Sequence, residues 1–396
     1  MSKSRWKSTY VPFYRRRSVW AAAGLFLLCV WAYARISGLL AEQRLELRID
    51  RYVCAGEPVC AEQVARFLDS GVGNGACSRR FGEALAARGK YLSGETFIHE
   101  SRGIPFLDRT WSLRSDWPEN SFHKAEAYIA THAEWLATLS ELARADKCIF
   151  VNYQAIERYA DIRLHHVNSI AHGVACLCVK AAVLVHHAQT EEAVAALWEA
   201  KLVNRHLLHE PFLFNAVTAL AGERSILKVV KHLLTTDPLS QTQKEQLRRI
   251  CVPFGKRRLQ QSILVERLAG LDYYYQRADP DVTDDVGHSF SYLRLMPLSR
   301  ACGKVEQYLD FVDCCAVVFE LPVHRRVPVA EELMRCQCEC LRAGNPFLSL
   351  APPICLLTKN YLAYCNDARE ILKTVCEHQE PDALGNAQAT LDPVTR

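Results

Sequence analysis

Between Leu164 and Leu234 the apolar residues keep one period, and that period leaves little choice of fold. Val167, Ile170, Val174, Leu177, Ala181 and Leu184 recur at steps of three and four, which lines one face of an α-helix. Gln189-Thr190-Glu191-Glu192 interrupts the pattern. Thr190 is a capping residue, and the two carboxylates suit the positive end of a helix dipole. Ala196, Ala200, Val203 and Leu207 carry the same step through a second helix. Pro211 suits the first turn of a third, whose face is Ala216, Leu220, Leu227, Val230 and Leu234. Asp237-Pro238 ends it, and Ser240 with Gln243 forms a capping box for a fourth. A link as short as Gln189-Thr190 makes the first two helices antiparallel neighbours, and Ala175, Ala181, Ala182, Ala193, Ala196 and Ala200 let their axes approach closely.

This hairpin resembles a tetratricopeptide-type unit. Leu177, Ala181, Leu184, Ala193, Leu197 and Ala200 fall at that repeat's signature spacings, although Arg205 stands where the closing proline belongs. No second copy follows at the repeat's period of about 34 residues, so the likeness covers one hairpin. In its order of features the chain is also similar to bacterial proteins with one N-terminal span and a helical extracytoplasmic body. That resemblance carries over no catalytic residue.

The N-terminus supplies the second constraint. No charged residue occurs from Ser18 to Ala34, a run at the short end of what crosses a bilayer. Arg35 can snorkel, which extends the apolar stretch through Ile36, Leu39 and Leu40, and Trp20, Trp31 and Tyr33 are placed as interfacial anchors. Lys3, Arg5, Lys7, Arg15, Arg16 and Arg17 precede the run, so the positive-inside rule predicts a cytoplasmic N-terminus and a body outside the cytoplasm. Ala32-Tyr33-Ala34 has the small-x-small form of a signal-peptide cleavage site, the competing reading; the basic head and the continued apolar run favour an uncleaved anchor. Those six basic residues exceed the whole net charge of +4, which leaves the body slightly acidic and gives no reason to expect a nucleic-acid partner.

The expected organisation is a basic head (1–17), a transmembrane anchor (18–40), a stalk and irregular subdomain (41–117), a helical body (118–378) and a disordered tail (379–396). Ala41 to Tyr52 should continue the span helix outward. Short helices are expected at Glu57 to Asp69 and Ser78 to Arg88, with Gly71 to Gly75 between them, and Lys90 to Glu119 should form a loop carrying Trp111 and Trp117. Longer helices are expected at Ser121 to Ala145, Gly255 to Arg277, Leu298 to Leu321, Pro328 to Arg342 and Pro353 to Glu377. Tyr273-Tyr274-Tyr275 spreads three rings round one helix, so at least one should be exposed. No strand pattern longer than Ile149 to Val151 survives. The class is all-α: a transmembrane helix followed by an α-solenoid-like stack of antiparallel hairpins.

Histidines are the most suggestive site feature. Folding the hairpin about Gln189 brings His172 level with His206, and His209 lies three residues on from His206 beside Glu210. Three such ligands are the minimum for a zinc-like ion, but no H-E-x-x-H motif is present. Polar histidines at the open end of a helix pair are the simpler reading. Cys336, Cys338 and Cys340 step by two along a helix and diverge, and there is no C-x-x-C, so most cysteines read as small apolar residues. Cys54 and Cys60 flank a Gly56-Pro58 turn, where a disulfide is compatible with an oxidising compartment. Gly255-Lys256-Arg257 lacks phosphate-loop spacing, the Asp279–Asp285 loop lacks calcium-loop spacing, and His99-Glu100-Ser101 has adjacency without triad geometry. The leading expectation is a membrane-anchored helical scaffold that binds a protein or peptide and needs no cofactor. The alternative is an extracytoplasmic metal-dependent hydrolase using His172, His206 and His209.

Overall fold

The computed structural model describes residues 17–67, 76–107, 119–146, 148–152, 156, 159–236, 239–276 and 296–376. Among these the chain is all-helical, with no strand. The expected loops around Gly71 to Gly75, Trp111 and Trp117, and Asp279 to Asp285, and the expected tail from residue 379, lie outside them.

Helix α1 (Arg17–Cys54) is unbroken from the apolar run into the stalk. It is followed by α2 (Ala61–Phe67), α3 (Ala76–Ser93), α4 (Glu95–Ser101), α5 (Glu119–Thr131) and α6 (Ala133–Ala143). The centre is α7 (His165–His186), α8 (Thr190–Leu207) and α9 (Leu213–Thr236). Then come α10 (Gln241–Cys251), α11 (Lys256–Val265), α12 (Arg267–Gln276), α13 (Leu298–Val318), α14 (Val323–Arg342) and α15 (Ile354–Cys376).

The long helix α7 is the hub. It is apolar and long enough to cross a membrane, but α3, α5, α6, α8 and α9 pack around it and bury most of its residues. Gly173 permits the α6 contact, because a Cβ there would lie 2.6 Å from Leu139 Cδ2. Leu177 and Leu197 are fully buried at the α7–α8 seam, whereas Leu184 near the turn is only partly covered. The turn itself closes with Ala188 at φ +58°, from which Gln189 N–H reaches back to the Leu184 carbonyl. Gln189, rather than Thr190, occupies the N-cap of α8, without a side-chain cap. Both arms of the Ser240–Gln243 capping box are formed at α10.

Several helices differ from their expected bounds, and α3 running on to Ser93 with α4 after it replaces the first part of the loop expected from Lys90 to Glu119. Ser121 to Ala145 divides at His132, whose imidazole turns toward α3 and α4. Gly255 to Arg277 divides at Glu266, whose carbonyl accepts from Tyr308 Oη at 2.6 Å as well as from Ala269 N–H at 3.1 Å, a tighter three-residue step. Helix α14 begins before Pro328, since buried Arg326 ties its first turn down by donating to the Leu321 carbonyl at 2.9 Å. Phe81 and Leu85 of α3, with Ile104 and Leu107 in the segment after α4, belong to the same core as the body, so that core is continuous across the expected boundary at 117.

Among the described helices, the first part of α1 stands clear of this core. Leu25 to Leu28, Val30, Trp31, Tyr33, Ile36, Leu39 and Leu40 are exposed, while Gly38, Ala41 and Leu45 turn a narrow face to α13. Gly38 packs directly on α13, where a Cβ would come into ordinary contact with Leu298 Cβ at 3.4 Å. Farther out, Asp313 accepts from Arg48 (2.9 Å), Tyr52 (2.8 Å) and Arg267 (2.6 and 2.7 Å). Arg267 also pairs with Glu57, and Arg48 with Asp310 at 2.7 Å. The apolar run is therefore locked to the body by a charged latch immediately beyond its end.

Candidate functional site

The most concentrated polar chemistry of the described body lies between α3 and α7, around Arg88. Phe81, Leu85 and Arg88 share one face of α3, so the pattern that buries two hydrophobes also carries a guanidinium into the core. Arg88 Nε donates to His172 Nδ1 (3.2 Å), Nη2 donates to Tyr128 Oη (2.8 Å), and Nη1 lies 3.3 Å from His132 Nδ1. Its cationic plane rests on the rings of Tyr91 and Trp135, 4.2 and 5.5 Å from their centroids. No carboxylate touches it among the described residues.

Arg88 faces both ring nitrogens of His172, with Nε donating to Nδ1 and Nη2 lying 3.2 Å from Nε2, and it faces Nδ1 of His132, so both imidazoles lie against the cation as neutral rings. His172 Nε2 also lies 3.0 Å from Tyr128 Oη. His132 Nε2 lies 3.2 Å from Tyr91 Oη and 3.4 Å from Glu100 Oε2. Tyr91 donates its single hydrogen to Glu100 at 2.5 Å, which leaves Tyr128 to supply the hydrogen in the long 3.4 Å contact with Tyr91. A continuous chain thus runs from His172 through Tyr128 and Tyr91 to Glu100, and the carboxylate that balances Arg88 stands at the partly exposed end of it.

Burial, reinforced by Arg88, pulls the His172 pKa down to about 2, and the same two causes lower that of His132. Burial followed by Glu100 pushes Tyr91 up to about 12, and burial also raises Tyr128. Cys176, whose Sγ lies 3.4 Å from His172 Nδ1, is pushed up to about 12 by burial, so its thiol stays protonated. The arrangement holds a buried cation by neutral acceptors and connects it to the surface by hydroxyls and imidazoles.

The other expected site histidines serve a different part of the fold. His206 Nε2 donates to the Leu142 carbonyl (2.8 Å), and its Nδ1 lies 3.4 Å from Nδ1 of His209, which in turn accepts from Cys148 N–H (3.2 Å). Buried Glu210 accepts from the N–H groups of Phe150 (2.7 Å) and Val151 (2.8 Å) and from Asn215 (3.2 Å), with His166 Nε2 at 2.8 Å. These groups satisfy the irregular backbone between α6 and α7, which has no ladder of its own. His172, His206 and His209 therefore do not converge. Among the described residues no three His, Cys, Asp or Glu side chains are placed to hold a metal ion. Cys54 and Cys60 are both exposed free thiols. Tyr275 is exposed, and Tyr274 Oη lies 3.3 Å from Cys302 Sγ.

No protein-family model matches the chain, and no match is found among curated proteins or solved structures.

Proposed function

We propose that this chain is a signal-anchored, single-pass membrane scaffold with its N-terminus in the cytoplasm and its helical body outside it. In this reading the body is a solenoid-like stack seeded by the tetratricopeptide-like α7–α8 hairpin, and it offers a surface to a protein or peptide partner. The observation that supports it most is the unbroken α1. Its first half is exposed and apolar, and its second half is clamped to α13 and α12 by Arg48, Tyr52, Asp313 and Arg267. Such a joint holds a body at fixed height and orientation over a bilayer, which serves recruitment more directly than turnover of a freely diffusing substrate. The six basic residues before residue 18 favour the stated orientation.

Exposed apolar side chains on the central helices are the contact candidates: Trp198 on α8, and Phe214 and Val217 on α9. A photo-crosslinking residue placed at each of these positions in the full chain, in native membranes, tests the reading. A discrete protein adduct from at least one of them, lost when the body is unfolded, is expected. Adducts to lipid alone, or none from all three, would overturn it.

A further inference from the structure

We propose that the N-terminus of α14, backed by the buried guanidinium of Arg326, binds a small tetrahedral oxyanion of the phosphate or sulfate type. The site lies within the body and does not depend on which side of a bilayer that body occupies.

Arg326 is only 2% exposed, and no carboxylate pairs with it among the described residues. Its Nε–H donates to the Leu321 carbonyl at 2.9 Å, while Nη1 is enclosed without an acceptor. The groups that register its charge are Tyr361 and Cys365 on α15, and burial keeps both protonated and neutral. Glu320 and Glu331, the acidic residues flanking it in sequence, are engaged elsewhere. Glu320 accepts from Gln260 at 3.2 Å, and Glu331 pairs with Lys359 at 2.7 Å. An arginine does not shed its proton to escape such surroundings, and an unpaired cation inside a protein is costly. The C-terminus of α13, just ahead of the turn, offers only about half a unit of negative charge. A water at Nη1 would satisfy the hydrogen bond and leave the charge unbalanced.

The start of α14 supplies the rest of the site. The bond to Leu321 folds the guanidinium back past the beginning of its own helix, the direction in which helical side chains lean. There the N-cap is Pro322, which has no side-chain acceptor to offer, and the first turn contains no acid. His324, Arg325 and Arg326 instead crowd basic side chains at the positive end of the dipole, the reverse of what a bare helix start favours. Arg325 N–H turns back to the Pro322 carbonyl at 2.9 Å, whereas the N–H groups of Val323 and His324 have no acceptor within the helix. Pro322, Val323, His324 and Arg325 are exposed, so an anion reaches these donors from solvent. Two backbone donors in front and a guanidinium behind match the several oxygens and double charge of a phosphate or sulfate ion.

Calorimetric titration of inorganic phosphate into the full chain, in detergent and an oxyanion-free chloride buffer of constant ionic strength, tests the site. Saturable one-to-one binding is expected, with sulfate competing. Arg326→Met should abolish it. Because that variant disturbs a buried position, Val323→Pro supplies the second test. Pro322 has ψ 143°, as a residue before proline requires, and proline suits the first helical position, so the fold is kept while one donor N–H is removed. Without phosphate its melting temperature should match that of the unaltered chain, and its phosphate affinity should fall about tenfold or more. Arg335→Gln, farther along α14, should bind as the unaltered chain does. Absence of saturable binding, equal affinity in Val323→Pro, or equal stabilisation by chloride at matched ionic strength would overturn the site.

Discussion

Replacing Asp313 with Ala tests the joint between anchor and body. Its two oxygens serve Arg48, Tyr52 and both Arg267 nitrogens, at 2.6 to 2.9 Å. The side chains of Arg267 and Arg48 are only 5% and 17% exposed, so the variant leaves two largely desolvated cations in need of a counter-charge. Removing one partner of a buried pair costs about 3–5 kcal/mol. Arg267 keeps Glu57, Arg48 keeps Asp310, and Asp313 is itself partly in contact with water, so the expected loss is smaller, about 2–3 kcal/mol. Amide hydrogen exchange on the full chain in detergent reads this locally. Each 1.4 kcal/mol is tenfold, so exchange at residues 41–54 should accelerate roughly 30- to 150-fold, with α7 little changed. Acceleration below about twofold there would mean that apolar packing alone seats the stalk and that the latch argument is wrong.

Leu197→Ala should cost about 2–5 kcal/mol in urea unfolding, and Leu184→Ala distinctly less, because only the first is fully enclosed; equal losses would contradict the seam as drawn. Gly270→Ala should destabilise by about 1–3 kcal/mol, since its Cβ would fall 2.4 Å from the Tyr308 ring, and a neutral result would show that the ring moves aside freely. His172 and His206, lowered to about 2 and about 4, stay neutral in the fold after they have charged in the unfolded chain. Their stabilisation is complete above about pH 6.5 and is lost as pH falls, by about 1.4 kcal/mol per pH unit for each. Denaturation titrations between pH 6 and 5 should therefore show an uptake of up to two protons on unfolding from this pair, added to any from His132, and reduced by up to one in His206→Gln; a flat profile would refute the buried neutral histidines.

The central helices were legible because their faces follow the three-and-four step, interrupted only at buried Glu223 between Leu220 and Leu227, and a strong periodic signal survives tertiary context. Ser240 and Gln243 were legible for a local reason, as both arms of their box are closed within one turn. The breaks at His132 and Glu266 were hidden. Each depends on a side chain or carbonyl being claimed from another helix, by Arg88 and Glu100 in one case and by Tyr308 in the other. The Arg88 network was missed altogether. Its members come from five separate helices and the break at His132, and no spacing connects Arg88, Glu100, Tyr128 and His172. One trace was present: an arginine on the Phe81–Leu85 face of α3, where a buried position calls for an apolar residue. The grouping of His172 with His206 and His209, the alternative to plain polar histidines, does not form, since residues on one helical face need not aim at one point. His206 and His209 are used up by backbone groups of the segment beside them.

The account turns on α1 carrying the body directly against a bilayer, and α13 gives a ruler for that claim. It runs parallel to α1, with Leu298 beside Gly38 and Asp313 beside Tyr52, so Arg300 lies near the end of the apolar run and Glu320 about 30 Å farther out. A fluorescent residue placed at either exposed position, in the full chain in bilayer nanodiscs with a headgroup-attached quencher, measures their heights. Strong quenching at residue 300 with little at 320 is the predicted result. Equal quenching at both, or none at either, would contradict it.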